Sequence, residues 1–135
     1  MRGGIMAQKV EKTKEQRIKS EISKLKKIFG NLDKERMTLA MKLIENAAFM
    51  MVTLEDLQKT INEDGAIRTG TNGNGFETTQ ESPALKAYNS TMQRFTPCIK
   101  QLTDMLPDDK SLATAKAGEA LTAFIHRGKP GRGPG

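Results

Sequence analysis

The chain has 135 residues, of which 36% are apolar and 28% charged, and its net charge is +6. This length suits one domain with terminal segments, and no uninterrupted apolar run reaches the roughly 18 residues of a membrane span, so we expect no membrane partner. Cys98 is the single cysteine and His126 the single histidine, so the sequence offers neither an internal disulfide nor a paired metal-ligand motif. We therefore expect no metal and no cofactor.

The positive charge is concentrated at the two ends of the chain. Residues 1–30 carry nine Lys or Arg against three acids, residues 31–125 carry ten against thirteen, and residues 126–135 carry three basic residues and no acid. Basic ends beside a mildly acidic middle are typical of a chain whose ends contact a polyanion. By charge alone, DNA, RNA and an anionic membrane surface all fit this pattern, although no membrane partner is expected.

Two helices are predicted in the first half of the chain. Residues 1–14 form a basic, unpatterned arm, and apolar residues then recur every three to four positions from Ile18 to Phe29, as on one face of a helix. After Gly30 a second helix is expected from about Lys34 to Asp64, with Gly65 ending it. At a rise of about 1.5 Å per residue this helix is roughly 46 Å long, well beyond the ~14 Å radius of gyration of a compact monomer of this size.

The long helix is apolar on more than one side. Its heptad seam lies beside a second apolar stripe that runs from Met37 to Met51. A helix that is apolar nearly all round is buried on all sides. In so short a chain, the extra partner is predicted to be another copy of the chain.

The second half begins with a segment rich in Gly and Thr, about 66–81. Asn72-Gly73 and Asn74-Gly75 lie between two short β-prone runs, which indicates either a β-hairpin or a loop. Ser82-Pro83 then starts a third helix with a clean heptad pattern that ends before Pro107. A last helix is expected over 111–126, followed by a disordered basic tail over 127–135.

Together these elements predict an all-α fold: long antiparallel helices with a short hairpin or loop between them, assembling with other copies of the chain into a homo-oligomer. Residues 15–110 form the predicted helical core and oligomerisation domain. The predicted subunit interface is the two heptad seams: Leu43, Ala47, Met50, Leu54, Leu57 and Ile61 on the long helix, and Leu85, Tyr88, Met92, Phe95, Ile99 and Leu102 on the third.

The layout and one weak motif resemble the small terminase subunits of bacteriophages. The similarity covers about Ser20 to Lys110: a long helix ending at Gly65, a polar loop, the helix start Glu81-Ser-Pro-Ala-Leu-Lys-Ala-Tyr-Asn89 and a Leu-Pro stop at 106–107. Ser82 stands where the family often has His, and the stop lacks the family's Gly. The resemblance implies a ring of about eight to twelve copies that binds double-stranded viral DNA at the packaging start site. It also implies recruitment or regulation of a large terminase subunit, which supplies the ATPase and nuclease, in the cytoplasm of the bacterial host.

The predicted DNA-binding residues are the basic residues of the two ends. They lack the pattern of a base-recognition motif, so we expect contacts to phosphates to dominate. They are Lys9, Lys12, Lys14, Arg17, Lys19, Lys24, Lys26, Lys27, Arg127, Lys129 and Arg132. The alternative interpretation is an ordinary solvated helix face and a solubilising tail.

Catalysis is not expected. The glycines at 70, 73 and 75 are followed by Phe76-Glu77-Thr78 rather than the Gly-Lys-Ser/Thr of a phosphate-binding loop. The sequence offers no plausible set of nucleophile, base and acid. The competing hypothesis is an oligomeric coiled-coil adaptor or structural protein without a nucleic-acid role. The same heptads would form the helix contacts of such a protein.

Overall fold

The computed structural model describes residues 12–71, 75, 77–109 and 111–127, and they form a mostly helical protein. Helix α1 is Lys14–Ile28, α2 is Lys34–Asp64, α3 is Pro83–Asp104 and α4 is Leu112–Arg127. Strands β1, Ile67–Thr71, and β2, Glu77–Glu81, lie between α2 and α3. The prediction of a mostly helical, all-α fold is confirmed. A ring of subunits stays a prediction, because the structure is of one chain.

Side-chain caps fix where the helices begin. The Thr13 hydroxyl accepts a hydrogen bond from the Gln16 N–H, and the Gln16 side chain accepts one from the Thr13 N–H, which completes a capping box for α1. Asp33 accepts from the Arg36 N–H at 2.7 Å to cap α2, and Ser82 accepts from the Leu85 N–H at 3.0 Å to cap α3. Each cap provides an acceptor for a backbone N–H of the first helical turn, which has no acceptor within the helix.

Helices α2 and α3 pack side by side in opposite directions. The backbone oxygen of Leu43 accepts a hydrogen bond from the Cys98 thiol at 3.4 Å, and Arg36 near the start of α2 donates to the oxygen of Met105, just past the end of α3. The hairpin between the helices reverses the chain. Gly65, whose φ of +88° favours glycine, ends α2 immediately before β1.

Strands β1 and β2 are antiparallel and pair Ile67 with Glu81 and Thr71 with Glu77. The Ser82 N–H donates to the Ala66 oxygen at 2.9 Å, so the pairing continues to the first residue of the α3 cap. The Ile67 side chain is 63% exposed, so this large apolar residue of the hairpin does not enter the core.

One core joins all four helices. Its centre is α2, which contributes the most buried residues, and three of these are alanines that let neighbouring helices approach closely. The fully buried members of the core include Leu25 of α1, Ile44, Met51 and Leu54 of α2, and Leu102 of α3. Leu121 and Phe124 of α4 complete the core, and the Phe124 ring centroid lies 6.3 Å from that of Phe95.

Leu54→Ala is expected to lower the free energy of unfolding by about 2–5 kcal/mol, because it removes a fully packed side chain and leaves a cavity. Leu112→Ala is the matched control: Leu112 is 71% exposed, so the same substitution should change that free energy by less than about 0.5 kcal/mol. Chemical denaturation followed by circular dichroism measures both. Equal losses for the two variants would contradict the assignment of α2 as the centre of the core.

Candidate nucleic-acid interface

Helix α1 has one side in the core and one side in solvent. Ile18, Glu21, Leu25 and Ile28 recur at helical spacing and are buried or half-buried. The opposite side carries Lys19, Ser23, Lys26 and Lys27, all exposed. The first helix therefore presents a polar, basic surface along its length.

The lysine face consists of Lys19, Lys26 and Lys27, with Lys12 exposed just before the helix. Lys19 and Lys26 are seven residues apart, which places them about two turns, or roughly 10.5 Å, apart along one side of α1. In the part of the chain that the structure describes, no carboxylate lies within ion-pair distance of these four lysines. They are arranged to attract an extended anion.

Other predicted DNA-binding residues have different surroundings. The Lys14 ammonium lies 4.9 Å from the centre of the Phe49 ring, and the Lys24 ammonium lies 3.5 Å from a Glu21 oxygen, although Lys24 remains well exposed. Lys9, Lys129 and Arg132 lie outside the described residues. Most of the predicted arm, 1–14, and of the predicted tail, 127–135, lies outside them as well.

Arg17 and Arg127 each contact two carboxylates of the chain itself. The Arg127 guanidinium donates to both oxygens of Glu21, at 2.7 and 3.0 Å, and to Glu55 at 2.8 Å. Arg17 donates to Glu55 at 3.2 Å and to Asp56 at 2.6 Å. These five residues, the charge cluster, join α1, α2 and the last residue of α4. Both arginines therefore have a structural role that the sequence analysis did not assign to them.

Glu21 is the buried member of the charge cluster, with only 6% of its surface exposed. Burial raises the pKa of Glu21, but the hydrogen bonds and charge of Arg127, together with the charge of Lys24, outweigh burial and hold that pKa below its usual value. The hydrogen bonds to Glu21 in turn raise the pKa of Arg127. Both groups are thus charged over the whole neutral range.

The sequence contained a signal for this cluster. Glu21 is three residues after Ile18 and four before Leu25, so it lies on the apolar side of α1, where an acid needs a partner. Its partner, Arg127, is 106 positions away. Sequence spacing could not identify that pairing, because nothing local relates the two positions.

The predicted subunit interface is in large part a contact within the chain. Six of its residues are buried by the chain's own helices, which leaves them almost no surface for a second copy: Ala47, Leu54, Tyr88, Phe95, Ile99 and Leu102. The other six are half-buried: Leu43, Met50, Leu57, Ile61, Leu85 and Met92. The hairpin lets the two heptad seams pack on each other, so the surface left for another copy is the half-buried part of these seams together with other apolar surface.

Such surface is present on the outer side of α2 and α3. A groove of about 400 Å³ runs between these helices, and Leu43, Met50, Pro97 and Cys98 are among the residues that line it. Phe49 lies at its edge and is 51% exposed. Leu39, on the same helix, is 66% exposed. Two large apolar side chains on one helix are therefore left without full cover by their own chain.

By length and composition alone, α2 could cross a membrane, although seven of its residues are buried in the core of this chain. Among the described residues, no group of three or more His, Cys, Asp or Glu side chains is placed to hold a metal ion.

Comparison of the chain with models of protein families, with curated proteins and with solved structures finds no match.

Glu21→Gln is expected to lower the free energy of unfolding by on the order of 1–2 kcal/mol at neutral pH, because Arg127 loses its charged, bidentate partner. The folded pKa of Glu21 lies below its ordinary value of 4.5, so its charge stabilises the fold above pH 4.5 and that contribution is lost as the pH falls through the folded pKa. The difference between wild type and variant should therefore shrink below pH 4.5. Denaturation at a series of pH values tests this.

The matched control for that series is Glu119→Gln, which alters an exposed glutamate on α4. The free energy of unfolding of this variant should be close to that of wild type at every pH. A gap between wild type and Glu21→Gln that stays constant, or grows, as the pH falls from 5 to 3 would contradict the ion pair.

Proposed function

We propose that this chain is a small terminase subunit that binds double-stranded viral DNA, assembles with copies of itself and performs no chemistry of its own. The observation that carries the proposal is the lysine face: a row of exposed ammonium groups along α1 that form no ion pair with the described acids. The resemblance of residues 20–110 to small terminase subunits supports the biological setting. Recruitment or regulation of a large terminase subunit, in the cytoplasm of the bacterial host, follows from that resemblance alone.

Duplex DNA is the ligand that we propose for the lysine face. Proteins that bind single strands without sequence preference stack bases on exposed aromatic rings. Among the phenylalanines that the structure describes, Phe29, Phe95 and Phe124 are buried, and Phe49 is half-covered with Lys14 over its ring. Phosphate contacts, which are independent of base stacking, fit ammonium groups on a regular helix.

Self-assembly would strengthen such contacts. A single lysine face makes few phosphate contacts and binds weakly, whereas a ring multiplies the faces that bind one duplex. Leu39, Phe49 and the groove beside them are the surface that we propose for the contact between copies. Burying these side chains removes apolar surface from water, at about 25 cal/mol per Å².

The second candidate function is an adaptor that binds another protein and no nucleic acid. The same groove, with Leu39 and Phe49 beside it, favours this candidate because it is apolar and faces solvent. The two functions differ in what the lysine face does. An adaptor would use it only for solubility, so neutralising it would leave partner binding unchanged.

Replacing Lys19, Lys26 and Lys27 by glutamine is expected to weaken binding to duplex DNA roughly tenfold or more at low salt. The slope of log K against log salt should become shallower by up to about 2.7 for each copy of the chain that contacts the duplex, since each lost phosphate contact removes about 0.9. Fluorescence anisotropy with a labelled duplex over a range of salt concentrations measures both quantities.

The control replaces Lys59, Lys86 and Lys116 by glutamine, three exposed lysines on α2, α3 and α4. It changes the net charge equally but leaves the lysine face intact, so it should retain a slope close to that of wild type. If both triple variants weaken DNA binding equally, binding depends on the net charge of the chain and not on the lysine face. Wild-type protein that does not retain duplex DNA at moderate salt would favour the adaptor.

A further inference from the structure

The hairpin formed by β1 and β2 projects its described side chains into solvent. Thr79 and Gln80 are adjacent in β2, so they lie on opposite faces of the sheet, and both are exposed. Thr69 of β1 is exposed as well, and Ile67 is 63% exposed. A two-stranded hairpin is only marginally stable by itself, and additional strands stabilise it. The hairpin is therefore suited to pairing with further strands.

The backbone of each strand has an outer edge. Within the described residues the sheet consists of these two strands, so each strand is paired on one side only. The Ser82 N–H donates to the Ala66 oxygen at 2.9 Å, which makes these residues a hydrogen-bonded pair at the base of the hairpin. Bonded and non-bonded pairs alternate along an antiparallel ladder, so Thr69 and Thr79, three positions further, are a non-bonded pair. Their backbone N–H and C=O groups consequently point outward, one residue on each edge.

These edges lack two common protections against strand addition. Proteins prevent such addition with prolines, with β-bulges or with charged side chains on the edge. Neither strand of this hairpin contains proline, and the pairing runs without a bulge from Ile67 and Glu81 to Thr71 and Glu77. Charge is then what determines which strand can be added.

The charges of the two strands favour a second copy of this chain. Strand β1 contains one basic residue and no acid, and β2 contains two acids and no basic residue. Placing β2 of one copy beside β1 of the next brings opposite charges together, whereas two β1 strands or two β2 strands bring like charges together. Around a rotation axis parallel to the strands, all β1 strands run one way and all β2 strands the other. Each contact between copies is then antiparallel, like the pairing within the hairpin.

We propose that the hairpin joins copies of this chain: β2 of one copy pairs edge to edge with β1 of the next, head to tail, and the hairpins of a ring form one closed antiparallel sheet. Head-to-tail contacts generate a ring when the rotation closes, and closure leaves no edge exposed. The inference rests on the self-assembly in the proposed function and gives it a second contact surface, beside the groove between α2 and α3.

Proline at the outward-facing positions tests the pairing, because it removes an outer N–H and leaves the hydrogen bonds within the hairpin intact. Thr69→Pro blocks the edge of β1, and Thr79→Pro blocks the edge of β2. Either variant alone should need a roughly tenfold or higher protein concentration to assemble, because every head-to-tail contact loses its backbone hydrogen bonds. An equal mixture should form one-to-one pairs, in which the β2 edge of Thr69→Pro meets the β1 edge of Thr79→Pro. Light scattering behind a sizing column, over a dilution series, measures the masses.

The matched controls are Thr69→Val and Thr79→Val, which alter the same side chains but keep the N–H, so both should assemble as wild type does. Circular dichroism checks that every variant retains its helices. Hydrogen exchange provides a measurement without any substitution: exchange across Ile67–Thr71 and Glu77–Glu81 of wild type should slow when the chain assembles.

The outcomes separate this inference from the proposed function. Assembly of both proline variants at the wild-type concentration, or exchange in the strands that does not slow on assembly, would overturn the edge pairing and leave the proposed function standing. Loss of assembly in Thr69→Pro alone would overturn the head-to-tail order, because it would indicate β1 beside β1. A wild-type chain that stays monomeric at every concentration would overturn both the pairing and the proposed self-assembly.

Discussion

The structure depends on a 31-residue helix, α2, that buries apolar surface toward more than one neighbour at once. Three alanines among its buried residues, Ala40, Ala47 and Ala48, allow close packing, and the larger Ile44, Met51 and Leu54 fill the space between helices. Helices α1 and α3 both pack on α2. Helix α4 joins that assembly through the buried Leu121 and Phe124, the half-buried Ile125 and the ion pairs of Arg127. Whatever binds the lysine face therefore acts on a helix, α1, whose orientation α2 fixes.

Charge is divided between two tasks. Arg17 and Arg127 hydrogen-bond to carboxylates and hold helices together, as suits the planar guanidinium. The lysines of the lysine face have no such partners in the described part of the chain. The basic excess of the first thirty residues thus overstates the charge available to a polyanion. Among the described residues of this segment, the available part lies on the solvent side of α1, opposite the side that carries Glu21.

Local structure was largely predictable from the sequence. The bounds of α2, from about Lys34 to the stop at Gly65, and the start of α3 at Ser82-Pro83 follow from capping chemistry and periodicity, which act over a few residues. The partner of each apolar face was not predictable in that way. A heptad seam packs equally well on another chain or on its own chain. The hairpin at 67–81 brings α2 and α3 together, so residues such as Leu54 and Phe95 are buried within their own chain. The ion pair between Glu21 and Arg127 could not be predicted either, because helical periodicity does not relate two positions that are 106 residues apart.

The central claim is that several copies of this chain bind one DNA duplex together. Native mass spectrometry of the wild-type chain, alone and with a short duplex, tests it most directly because it counts protein and DNA in the same particle. We expect an assembly of about eight to twelve chains that retains one duplex, as a closed ring with many weak phosphate contacts would. A monomer or dimer that retains no duplex would contradict it and would support the adaptor.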